Sequence, residues 1–67
     1  MAPIKRVSKT LKRLRTERGL SQQTLATKAK ISRGYLARLE AAEQDPTLGV
    51  LERIAKALGV PVTALLE

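Results

Sequence analysis

Arg33 and Arg38 are the residues with the most to do chemically, because of what surrounds them in S-R-G-Y-L-A-R-L-E-A. A helix over 32–42, phased at about 100° per residue, sends Leu36, Leu39 and Glu40 to one side. Gly34, Ala37, Arg38 and Ala41 then point to the other side, with Arg33 on a flank. A face that only solvates a helix is ordinarily crowded with Lys and Glu, whereas this one is small residues around arginine. Small side chains let the helix backbone come close to base edges. A guanidinium can donate two hydrogen bonds to guanine O6 and N7, and alanine methyls can touch the thymine methyl. The same small residues would also suit tight helix packing, so this face alone leaves both readings open. Other chemistries lack their residues: the chain has no His and no Cys. The commonest general base, the thiol nucleophile and the usual transition-metal ligands are therefore missing. The few carboxylates lie mostly towards the C-terminus and form no catalytic pair. No enzyme, metal, cofactor or small-molecule ligand is expected.

Charge narrows the partner. The net charge of +7 is unevenly spread. Residues 1–38 hold eleven Lys and Arg against Glu17 alone, a net of +10, and residues 39–67 carry a net of −3. A small domain so polarised has a strong field on one side and attracts a polyanion. Nothing approaches the run of about 18 apolar residues that spans a membrane. The N-terminal charges have no apolar segment behind them, so no secretory signal is expected and the reading is cytoplasmic.

These residues need helices to position them. The first six residues, with Pro3, read as a flexible basic arm, and residues 7–67 as one domain. Val7, Leu11 and Leu14 recur at i, i+4 and i+7, and Gly19 supplies a stop. Ser21 is the N-cap candidate of a second helix burying Leu25, Ala26 and Ala29. Ser32 caps a third that turns Leu36 and Leu39 inward and ends near Ala41 or Ala42. Glu43 to Pro46 read as a loop. A fourth helix from about Thr47 buries Leu48, Leu51, Ile54, Ala55 and Leu58 and stops at Gly59. Pro61 suits the first turn of a short fifth helix containing Leu65 and Leu66. Period-2 alternation is absent, so the expected fold is all-α, a compact bundle of five helices. Tyr35 is the only aromatic residue, which leaves an aliphatic core. Only three or four residues, around Lys30 and Ile31, join the second helix to the third. Such a turn holds the helices at a wide angle and lets the second protrude, as entry into a major groove about 12 Å wide requires.

Over this stretch the sequence resembles the Cro and phage-repressor helix-turn-helix family, the xenobiotic-response-element type. The resemblance runs from about residue 7 to residue 67. It includes L-R-x-x-R-G-L-S-Q-x-x-L-A at Leu14 to Ala26 and I-S-R-G-Y-L-A-R-L-E at Ile31 to Glu40. It continues through D-P-T-L-x-x-L-x-R-I-A-K-A-L-G-V at Asp45 to Val60 and the paired Leu65 and Leu66. The Arg-Gly-Tyr version is similar to small repressors and restriction–modification controller proteins. The resemblance implies a lambda-repressor-like domain that binds double-stranded DNA sequence-specifically and regulates transcription, with helix 32–42 in the major groove. Arg33, Gly34 and Arg38 match the base-reading positions. Gln22 matches a glutamine that bonds phosphate and braces the recognition helix, and Tyr35 a position that reaches DNA at the helix edge. Ser21 belongs with them at a helix N-terminus, where free N–H groups favour phosphate. Arg15 and Glu40 match a structural ion pair. Dimers of the family meet near the last two helices, which points to Val60, Pro61, Val62, Leu65 and Leu66. A homodimer on a palindromic operator follows.

Two positions depart from the family pattern. Lys30 stands where glycine is usual, in a turn needing positive φ, at a steric cost of about 1–2 kcal/mol. Its ammonium would lie close to a DNA backbone. Ala42 replaces a common glycine after the third helix, so that helix is expected to run on or to end without a Schellman cap. Two other classes stay open: an antitoxin or adaptor holding a protein partner on the same fold, and a membrane-surface helix. The latter is disfavoured by the small apolar face of Val7, Leu11 and Leu14.

Overall fold

The computed structural model describes residues 4–67, which form five helices and, among the described residues, no strand. They are α1 (Ile4–Glu17), α2 (Gln22–Ala29), α3 (Arg33–Glu40), α4 (Leu48–Leu58) and α5 (Thr63–Leu66). The expected all-α five-helix architecture is the observed one. Helix α4 packs across α2, α3 against both α1 and α2, and α5 closes against α1 and α4.

The core is aliphatic. Leu11, Leu25, Leu36, Leu39, Leu51, Ile54 and Leu65 are fully buried, with Val7, Leu14, Ala26, Ala29, Val50, Ala55 and Leu58 completing the cluster. Each large side chain removed from water stabilises the fold by roughly 1.5–3 kcal/mol. Tyr35 adds a half-buried ring against this core.

Several expectations need correction. The basic arm expected over residues 1–6 is helical from Ile4 onward, while residues 1–3 lie outside the described residues. Half-buried Ile4 extends the stripe of Val7, Leu11 and Leu14, and the buried Ser8 hydroxyl donates to the Ile4 carbonyl at 2.8 Å. Lys5 and Arg6 ride on the exposed side of that first turn. Leu48, expected to be buried, is 55% exposed, and Val50 takes the core position. Leu48 is the first residue of α4, so a partner would have to come from the preceding loop. There Glu43, Asp45 and Thr47 are exposed and offer no apolar surface. Helix α5 is a single turn that starts after Pro61, whose carbonyl accepts from the Ala64 N–H at 2.9 Å.

Helices α1 to α4 all end in the same way. After α1 the Leu20 N–H reaches the Arg15 carbonyl, and Gly19 bonds Thr16. Ile31 to Ala26 with Lys30 to Thr27 repeats the pattern, as do Glu43 to Arg38 with Ala42 to Leu39, and Val60 to Ala55 with Gly59 to Lys56. These are Schellman motifs, which satisfy orphan carbonyls by turning one residue left-handed. Glycine supplies that residue at Gly19 and Gly59 (φ 68° and 75°), whereas Lys30 and Ala42 adopt φ 60° with a side chain attached. The positive φ expected at Lys30 is therefore present. The expectation at Ala42 is overturned: α3 stops at Glu40 with a complete Schellman closure in spite of the alanine. Two hydrogen bonds and the burial of the flanking helices outweigh the local strain.

Candidate nucleic-acid interface

The unit from Ser21 to Glu40 is built by two capped helices and one strained turn. Ser21 is extended (φ −75°, ψ 163°), and its hydroxyl oxygen accepts from the Thr24 N–H at 3.0 Å while donating to Thr24 Oγ1 at 2.9 Å. Ser32 does the same for α3, accepting from the Tyr35 N–H at 3.0 Å. Between them the left-handed Lys30 reverses the chain and leaves Ile31 packed against the core. Lys30 itself is exposed beside the start of α3.

Helix α3 is anchored by Leu36 and Leu39 on one side and presents the opposite side to solvent. Arg33, Gly34, Arg38 and Ala41 are exposed and Ala37 half-buried. Gly34 and Ala41 point most directly away from the core, with Arg38 to one side, Ala37 to the other and Arg33 at the leading end. The Arg38 guanidinium folds back over Gly34, where a Cβ would lie 3.6 Å from Nη1. The i, i+4 spacing allows this contact, but sequence reasoning did not name it.

Arg33 is also an electrostatic oddity. It is a cation at the N-terminal turn of α3, where the helix dipole disfavours positive charge by about 0.3–1 kcal/mol. No first turn of α1 to α4 contains an acidic residue. These helix starts are thus left without the carboxylates that usually neutralise them.

Behind this surface a buried polar network locks α3 to α1 and α2. Arg15 donates from Nε to Glu40 Oε2 at 2.6 Å and from Nη2 to Oε1 at 3.0 Å. Its Nη1 donates to the Leu20 carbonyl at 2.7 Å, and Gln22 Nε2 donates to Glu40 Oε1 at 3.1 Å. The two charged side chains are only 12% and 4% exposed, and no buried side-chain polar atom among the described residues lacks a partner. The expected Arg15–Glu40 pair is therefore present, with Gln22 as its third member. An amide nitrogen has two protons, so Gln22 keeps one N–H free after bracing Glu40.

Ser21 and Gln22 thus stand at the N-terminal end of α2, Lys30 at its C-terminal end, and Arg33, Gly34 and Arg38 on α3. Tyr35, on the same helix, uses its ring for packing. Beyond α4, Val60, Val62 and Leu66 are half-buried against the core and Pro61 is exposed. Leu65, expected with them, is corrected: it is fully buried in the chain's own core and has no surface to offer a partner. The stripe of α5 turns Leu65 inward and Leu66 outward, and the pair could not be divided without the packing.

A capped helix, a three-residue reversal and a protruding arginine-bearing second helix define a helix-turn-helix domain. Comparison with known proteins makes this concrete: the helix-turn-helix family model matches residues 11–65, and the chain belongs to that family. The chain is 46% identical over 59 residues to the immunity repressor protein of Bacillus phage phi105, covering 88% of this chain and 41% of that protein. It therefore spans less than half the length of that relative. Its fold matches the restriction–modification controller protein C.AhdI from Aeromonas hydrophila with a TM-score of 0.92 at 31% identity, over 97% of this chain and 98% of that one. It also matches SinR, the master regulator for biofilm formation, solved in complex with DNA. There the TM-score is 0.87 at 34% identity, over 91% of this chain and 98% of the other.

Proposed function

We propose that this protein binds a specific double-stranded DNA sequence as a two-fold dimer and, acting in the cytoplasm, represses or controls transcription from that site. The observation that carries the reading is the outer face of α3, where Arg33 and Arg38 border exposed Gly34 and Ala41 with no carboxylate among them. In this reading α3 enters the major groove. Arg38 donates two hydrogen bonds to guanine, Gly34 gives it room, and Arg33 reads a base further out. Ser21, Gln22, Lys30 and Tyr35 meet phosphates and fix the register of the helix. The free N–H of Gln22 lets one side chain hold phosphate and brace Glu40 together.

One recognition helix reads few base pairs. Two half-sites about 10 bp apart supply the missing information, which supports a dimer on a palindromic operator. Its interface is assigned to Val60, Pro61, Val62 and Leu66.

Selection from a random duplex pool tests the proposal. A palindrome with recurring G·C pairs is the expected product, and failure to enrich any sequence would overturn it. Arg38→Ala should then cost about 1–3 kcal/mol per half-site on the selected sequence and flatten the preference at one base pair. Lys9→Ala and Lys12→Ala, on the outer face of α1, should leave base preference intact. If Arg38→Ala weakens selected and scrambled DNA equally, Arg38 is a phosphate clamp and base reading passes to Arg33.

A further inference from the structure

Residues 39–67 contain only two cations, Arg53 and Lys56. Both line the same shallow depression of about 380 Å³, where they meet Lys28 and Lys30 from the end of α2. Ala29 and Ala57 make its floor. The four charged residues are exposed. Among the described residues the only ion pairs are Arg13–Glu17 and Arg15–Glu40, so none of the four is neutralised by a carboxylate. Glu52 stands one turn before Lys56 on the same helix, yet it makes no ion pair.

Part of this charge has a local use. Lys28 and Lys56 lie in the last turns of α2 and α4, where a cation offsets the helix dipole. Two helix C-termini amount to about −1 in total, however, against four positive charges. About three charges remain uncompensated in one concavity. A drug-like ligand asks for a pocket with only a few polar groups, whereas four cationic side chains and no carboxylate surround this one. The small floor and charged rim suit a polyanion that lies across the surface. Lys30, the C-cap of α2, belongs both to this depression and to the interface described above.

We propose that this depression holds the sugar–phosphate backbone of duplex lying outside the half-site, extending the phosphate track away from the recognition helix. The proposal rests on the DNA-binding reading and adds to it a requirement for flanking DNA. Lys28, Arg53 and Lys56 take the phosphates, and Lys30 joins this track to the half-site.

The test uses the selected site in two duplexes, one trimmed to its half-sites and one with about one helical turn of flank on each side. Wild-type protein is compared with the combined Lys28→Gln, Arg53→Gln, Lys56→Gln variant across a salt series. On the long duplex the log–log salt slope should fall by about 0.9 per lost contact, roughly 2.7 per protomer. On the trimmed duplex the two proteins should bind alike, with the same base preference. Loss of the two dipole-compensating lysines could lower the melting temperature. Arg53→Gln alone, a turn before the end of α4, is then the cleaner probe, with a slope change of about 0.9. Equal slopes on the long duplex would overturn the proposal and turn attention to an acidic protein partner. Equal losses on both duplexes would also overturn it, by placing the contacts within the half-site. Failure of the wild-type protein to prefer any sequence would instead defeat the underlying DNA reading.

Discussion

Gly59 and Ala42 occupy equivalent positions, each the left-handed residue of a Schellman closure, and exchanging their side chains should move stability in opposite directions. A Cβ built on Gly59 meets no heavy atom within 4 Å, so Gly59→Ala isolates the cost of φ 75° from any clash. Holding an L-residue in that region costs about 1–2 kcal/mol. Losing the extra freedom of glycine in the unfolded chain returns about 0.4–1 kcal/mol. The net is a loss of about 0.5–1 kcal/mol, or roughly 2–8 °C in a domain of this size. Ala42→Gly should reverse the sign at φ 60°, with a slightly smaller gain because its half-buried methyl gives up some packing. Lys30→Gly relieves the same strain and also removes one of four cations that share a depression with no carboxylate partner. Its gain should therefore be larger at low salt and shrink as salt screens that repulsion. Thermal melts by circular dichroism in low and high salt measure all three. A neutral Gly59→Ala together with a destabilising Ala42→Gly would refute the shared geometry of these helix ends.

Arg15→Ala strands the Glu40 carboxylate with Gln22 as its remaining side-chain partner, and should cost about 3–5 kcal/mol. Total stability at this length is about 3–10 kcal/mol, so urea titration should find the variant with a large part of its stability lost; a loss below about 1 kcal/mol would contradict the network. Leu48→Ser should change stability by no more than about 0.5 kcal/mol, whereas Leu51→Ala, three residues on, should cost about 2–5 kcal/mol. A large effect at Leu48 would mean that something covers it. Pro61→Glu and Val62→Glu set like charges across the proposed two-fold, so binding to paired half-sites should weaken while binding to a single half-site holds. Equal binding of the variants and wild type to the pair would place the interface elsewhere.

Much of this protein is written locally. Serine and threonine before an apolar run, glycine after one, and aliphatic residues at helical spacing determine α2, α3 and α4 within a residue or two, because capping and amphipathic burial depend on neighbours a few positions away. The outer face of α3 was legible for the same reason: helical phase alone separates Gly34, Arg38 and Ala41 from Leu36 and Leu39. The aliphatic core followed from composition, since Tyr35 is the only aromatic residue. The tertiary structure decided what depends on distant chain. Ile4 continues the α1 stripe, which the adjacent Lys5 and Arg6 disguised. Leu48 stays in water because the loop before it is polar, and Leu65 is core because α1 and α4 close over it. Ala42 accepts a left-handed turn because packing on both sides of it outweighs a strain of about 1–2 kcal/mol. Lys28 and Arg53, twenty-five residues apart, share one depression only because α4 crosses α2. Periodicity reports which face of a helix is apolar, but only the packed neighbours determine what covers that face, and where charges from separate helices come to lie together.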